Sequence, residues 1–270
     1  MTAAPLGFRR MVLGLHPNAP SRAANLAVEF AALFDLELLG LFIEDVGLRN
    51  FAAMPFAREI SALGGGWRPI EPERAERELD FAADKAERRF AAAARGVARR
   101  QFEIVRAAAG QALAAELRGG DVVTIGAPAT SAERAAEPIA SLIEAAFRSA
   151  AAVMLAPARR ARHAGPIVAV AATPNDPSVA AAAAIADAVG EKLIVVNFSA
   201  HAGSAWSAAR REGAPAAEVD GLPPDLRRLR ERLVVLSRGA AQDRLALAIA
   251  IARGVPTLSV DGGEEAAEAR

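Results

Sequence analysis

Two six-residue stretches, HPNAPS from His16 and TPNDPS from Thr173, punctuate the chain in the same way. One constant offset carries Pro17 onto Pro174, Asn18 onto Asn175, Pro20 onto Pro177 and Ser21 onto Ser178. The same offset lays MVLGL, from Met11, on VAVAA, from Val168. It also lays LELLGLF, from Leu36, on LIVVNFS, from Leu193, without a gap. A match held over this length marks duplicated supersecondary units, so two related halves are expected.

Each unit reads the same way. RRMVLGL and GPIVAVAA are short apolar runs bounded by turn residues, the pattern of buried parallel strands. Pro and Asn then impose a loop, because Pro fixes φ and has no amide hydrogen for a ladder. Ser21 and Ser178 stand before good helix formers, where a hydroxyl can satisfy unpaired helix amides. Helices are predicted to about Phe34 and Val189, each followed by a second apolar strand, which makes a right-handed β-α-β unit. Later, DVVTIGAPA (from Asp121) matches RLVVLSRGA (from Arg232), a strand and small-residue loop in each half. Helices are predicted over about Pro138–Ser149 and Gln242–Ala252, then closing strands near Val153 and Val255. FEIVRA, from Phe102, adds a strand to the first half, with a short helix near Gln111–Leu117. AAEVDG, from Ala216, is its counterpart in the second. The expectation is an α/β chain of two tandem doubly wound, Rossmann-like domains, each with a mainly parallel five-stranded sheet.

The boundaries follow from composition. APARRARHAGP, from Ala156, is basic, aperiodic and broken by Pro and Gly, so residues 158–165 read as a linker. The domains are then 1–157 and 166–262, with a flexible tail at 263–270. The first domain carries an insertion from Glu44 to Arg100. Within it Leu79, Ala83, Ala86, Phe90, Ala93 and Val97 recur every three or four residues, one apolar helical stripe. Glu73/Arg77 and Asp84/Arg88 are i,i+4 pairs worth ~0.2–0.5 kcal/mol each.

Composition excludes several functions. Lys+Arg and Asp+Glu both number 32, which leaves no global basic surplus for nucleic-acid phosphates. The Arg-rich linker is read as solvated rather than as a nucleic-acid patch. There is no cysteine, so disulfides and thiolate chemistry are absent. No apolar run reaches the ~20 residues that span a bilayer, and the N-terminus lacks the pattern of a signal peptide. A cytoplasmic protein that contacts neither membrane nor nucleic acid is the expectation.

The arrangement resembles the universal stress protein family in its tandem two-domain form. The resemblance is carried by MVLGLHPNAPSRAANLAVEFAALFDLELLGLFIED, the DVVTIG strand and loop, and the closing VMLAP strand. It covers nearly the whole first half, and in the second mainly Pro166–Phe198 and Arg232–Val260. It implies that the last strands, near Val153–Ala156 and Thr257–Val260, pair across a two-fold axis. One chain then forms an internal pseudo-dimer, with a homodimer also possible. Nucleotide-binding members of the family carry an aspartate at the end of the first strand; here that position is His16, and Thr173 in the second half. They also carry glycines after the fourth strand. Gly126 keeps the first, but Ala129, Ile139 and Ala140 follow, and Ser237 and Ala240 stand in the second half. Alanine accepts φ > 0 poorly, and Glu137 and Asp243 bring negative charge toward any phosphate. The resemblance thus implies no resident cofactor, with ATP or another adenine nucleotide as the alternative.

Candidate ligand residues are those at the strand ends. His16, with Pro17 beside it, could donate to a ligand, or simply replace an unused aspartate. Asn18 and Asn175 recur, although Asn in a Pro-flanked loop often serves only the turn. Thr130, Ser131 and Arg134, and Arg238 with Gly239 in the second half, could hold an anion without a glycine cradle, and Ser237 opens the matching loop as a further candidate; capping by Ser131 competes. No Gly-x-Ser-x-Gly motif is present. Glu44 and Asp45 end the second strand without an identifiable partner. No metal site is expected, since the three histidines are scattered. Phe51, Met54, Phe56 and Ile60 could pack on the long helix, cover a cleft or contact another subunit. RRLRER, from Arg227, reads as a solvated helix end. The expected function is non-catalytic stress-response binding of a small ligand or protein partner. The alternative is a nucleotide sensor or weak ATPase in the same cleft.

Overall fold

A computed structural model describes residues 6–16, 21–60, 65–128, 137–149, 152–158, 161–173, 175–197 and 230–261. The chain is α/β, and its strands run β1 (Arg10–Leu15), β2 (Glu37–Asp45), β3 (Arg58–Ile60), β4 (Trp67–Pro69), β5 (Arg100–Ala107) and β6 (Asp121–Gly126). They continue with β7 (Ala152–Ala156), β8 (Ile167–Ala171), β9 (Leu193–Asn197), β10 (Leu233–Ser237) and β11 (Thr257–Val260). Seven α-helices stand among the described residues: α1 (Ser21–Leu33), α2 (Val46–Ala52), α3 (Pro72–Ala93) and α4 (Ala109–Glu116), then α5 (Glu137–Ser149), α6 (Pro177–Val189) and α7 (Ala240–Arg253).

Among the described residues nine strands form one sheet in the order β5-β2-β1-β6-β7-β11-β10-β8-β9. All neighbours are parallel except β7 and β11, which run antiparallel with Thr257 opposite Leu155 and Val260 opposite Ala152. A five-stranded sheet was expected in each half, with the closing strands paired; β7 and β11 do pair, and that ladder joins the strands of both halves into one sheet. Residues 10–156 contribute five strands. Residues 167–260 contribute four, and the AAEVDG segment lies outside the described residues. The orders β2-β1-β6-β7 and β9-β8-β10-β11 repeat one arrangement, as the matched sequence blocks require.

Side chains alternate across the strands and so feed two cores. Met11, Leu38, Val122 and Met154 pack with α1, α3 and α6 on one face. Val12, Leu39, Val123 and Val153 pack with α4, α5 and α7 on the other. Each fully buried aliphatic side chain contributes about 1.5–3 kcal/mol. On the first face Phe90 of α3 and Phe102 of β5 lie with ring centroids 5.5 Å apart. Both rings press on Gly40 of β2, where a Cβ would come within 2.8 Å of each. Glycine is needed there for close approach rather than for an unusual φ.

The insertion follows the sequence pattern, with additions. Leu79, Ala83 and Phe90 of α3 are buried, and Val97 is buried just past its end. Arg77–Glu73 and Arg88–Asp84 approach to 3.8 and 4.0 Å on the exposed side. The antiparallel hairpin β3–β4 was not expected. Its cross-strand pair Ile60 and Trp67 is exposed, as are Phe51, Met54 and Phe56, so this apolar stripe is not core. Glu44 is buried and has two partners, Arg49 and Arg106, the latter donating from Nε at 3.0 Å. Asp45 caps α2 by accepting from the Gly47 amide at 2.7 Å. The carboxylates that lacked partners in the sequence therefore serve structure. Of the RRLRER run, residues 227–229 lie outside the described residues. The rest is not helical, and Glu231 is buried against Arg253 at 2.6 Å.

Candidate functional site

In a doubly wound sheet a crevice opens beyond the strand C-termini where the winding direction reverses. The strand order places one such point between β1 and β6 and a second between β8 and β10. At the first, Leu13 of β1 is level with Thr124 of β6, which brings the strand ends bearing His16 and Gly126 side by side. His16 is half-buried and Gly126 buried. Pro17, Asn18, Thr130, Ser131 and Arg134 lie outside the described residues.

The second crevice is centred on Asp176. This residue is extended at φ −61° and ψ 132° and caps α6, with Pro177 opening the helix behind it. Its Oδ1 accepts from the Ser178 amide at 2.9 Å and its Oδ2 from the Ala172 amide at 2.9 Å. The Ser237 hydroxyl at the end of β10 donates to the same Oδ2 at 3.2 Å. Asp176 is only 6% exposed. Two amides, a hydroxyl and a helix N-terminus are the parts of an anion site, and here the anion is the chain's own carboxylate.

The neighbouring helix start repeats the device more loosely. The Gly239 amide faces Asp243 Oδ1 at 3.5 Å, and the Asp243 amide donates to the Gly239 carbonyl at 2.8 Å. Burial pushes the Asp243 carboxyl above its ordinary value, against the opposing pull of Arg238 and the Gly239 amide. Arg238 is itself engaged: its guanidinium sits over the Phe147 ring of α5, 5.8 Å from the centroid. That contact bridges the two halves on the α5/α7 face.

The sequence-derived candidates therefore divide. Ser237, Arg238 and Gly239 gather at the second crevice, but each contacts the protein itself. Thr173 and Asn175 are at the same edge and exposed. Ser178 is buried in the first turn of α6, and its hydroxyl donates to the Val170 carbonyl at 3.1 Å instead of capping the helix. Asp176, which organises the crevice, was missed. The Asp-Pro pair that opens α6 was its only signal, since Pro at the first helical position calls for a capping acceptor before it. Among the described residues no cluster of three or more His, Asp or Glu could hold a metal, and no helix is long and apolar enough to cross a membrane.

No family model matches the chain, and no curated protein does. A crystal structure of a functionally unknown protein from Pseudomonas aeruginosa is similar, at 13% sequence identity and a TM-score of 0.49, over 97% of this chain and 96% of that one.

Proposed function

We propose that the chain is a non-catalytic binding protein of the universal stress type. In this reading residues 1–157 and 166–262 are tandem domains, closed on each other as an internal pseudo-dimer in the cytoplasm. It takes a small ligand or protein partner in a bacterial stress response. The observation that carries the reading is the Asp176 carboxylate, held by Ala172, Ser178 and Ser237 where a phosphate would rest. A phosphate entering that crevice would meet a buried negative charge and amides already paired. The antiparallel join of β7 and β11, at strands that end the two halves, supports the tandem arrangement.

The rival reading is an adenine-nucleotide sensor or weak ATPase acting at the first crevice. It draws on Gly126, beside the strand end that carries His16. Calorimetric titration with ATP, ADP and AMP separates the two. The proposal expects no binding tighter than about 1 mM. Micromolar binding lost in Gly126→Val or His16→Ala would replace it with the rival.

A further inference from the structure

A cavity of about 450 Å³ lies between α1 and α6 on one face of the sheet, and none of His16, Gly126, Asp176 and Ser237 lines it. Its size falls in the range of small-molecule sites, roughly 300–1,000 Å³. The apolar part of its lining is Phe30 and Leu33 from α1, Ile185 and Val189 from α6, with Met154 of β7 and Leu233 of β10. These strands and helices come from both halves, so the cavity sits over the region where the halves join.

The rim is of opposite character. Arg22, Arg162 and Arg232 all line it, against the single carboxylate of Glu29. Glu29 is already paired with Arg232. Arg22 donates to the Ala158 carbonyl, which carries no charge to offset its own. Arg162 is exposed and has no hydrogen bond or ion pair to another described residue. The rim thus holds two positive charges without a carboxylate, beside the apolar part of the lining. His163 stands beside Arg162 on the same rim, ready to donate.

We propose that this cavity binds a small organic monocarboxylate, with its apolar body against Phe30, Leu33 and Ile185 and its carboxylate at Arg162 and Arg22. A neutral apolar molecule fits the apolar lining but leaves the two guanidinium charges without a counter-charge. A phosphate or other compact polyanion fits the rim but leaves the chamber wet. A carboxylate on an aliphatic or aromatic body satisfies both, with charge-assisted hydrogen bonds at the rim. The proposal rests on the small-ligand arm of the function above and names the class of ligand and its place.

Calorimetric titration of the full chain with decanoate and with 2-naphthoate tests it, using decanol and 2-naphthalenemethanol as uncharged counterparts. At least one carboxylate should bind tighter than about 1 mM and roughly tenfold tighter than its alcohol. Arg162→Glu, at an exposed residue, should weaken it by at least roughly tenfold without altering the melting temperature, and adding Arg22→Glu should weaken it further. Leu33→Trp, which fills the chamber, should abolish it. Absence of binding by both carboxylates, equal binding of acids and alcohols, or indifference to the Arg changes overturns the proposal. The nucleotide titrations report on the function separately, since nucleotide binding at the crevice leaves these outcomes unchanged.

Discussion

Ser237 donates its hydroxyl to the Asp176 carboxylate at 3.2 Å, tying the end of β10 to the start of α6 across 61 residues of sequence. The same carboxylate satisfies the amides of Ala172 and Ser178. Truncating it removes a helix cap, leaves the Ser178 amide without its partner in a buried place, and frees the Ala172 amide and Ser237 hydroxyl in part-buried ones. Asp176→Ala should therefore cost about 2–3 kcal/mol, measured by urea unfolding. Sulfate should then stabilise the variant more than the parent, because the vacated site accepts an anion. A variant as stable as the parent would show that the carboxylate is incidental.

The Asp243 carboxyl titrates above its ordinary value because burial disfavours its charge. A raised folded pKa means that the folded state holds the proton more tightly than the unfolded one. The group's contribution to stability is full below the unfolded value and is lost as pH rises through the folded value. Asp243→Asn keeps an acceptor for the Gly239 amide and removes that loss. The variant should gain on the parent as pH rises from the acid range toward neutrality. Thermal melts across that range check it, and a difference that shrinks with rising pH contradicts it.

Gly40 lies beneath the rings of Phe90 and Phe102, each within 2.8 Å of where a Cβ would stand. Gly40→Ala should cost about 1–3 kcal/mol by overpacking. Because the obstruction is side chain rather than backbone, Phe102→Leu should recover part of that cost in the double variant. Additive losses in the double-mutant cycle would place the strain elsewhere.

Phe56 is 72% exposed and lies in the inserted segment of apolar residues outside the core. Phe56→Ser should change unfolding free energy by less than about 0.5 kcal/mol. A larger loss would mean that the side chain is covered in solution, and sedimentation of parent and variant would then reveal the covering copy.

Much of the sheet was legible because its signal is local. Runs such as MVLGL and IVAVA are too short and too apolar for anything but buried strands, and the repeated Pro-Asn turns mark where each strand stops. The α3 stripe was equally readable, since Leu79, Ala83 and Phe90 fall on one side of a 3.6-residue period. What escaped depends on contacts distant in sequence. Asn175 drew attention because Asn18 repeats it, yet its neighbour Asp176 holds the crevice through Ala172 and Ser237. Ser178 looked like a cap, but with Pro177 at the first helical position the capping place falls to Asp176. The paired roles of Glu44 and Arg106 arise only once β2 and β5 lie side by side. The cavity between α1 and α6 has no linear signature, because its walls meet only after the sheet has formed.

The β7–β11 ladder has one further effect. A terminal strand with bare amides and carbonyls is a template onto which a foreign strand can add. Here each closing strand covers the other's open side. Among the described residues the middle of the sheet therefore offers no place for a stray chain to attach, and the open margins are at β5 and β9.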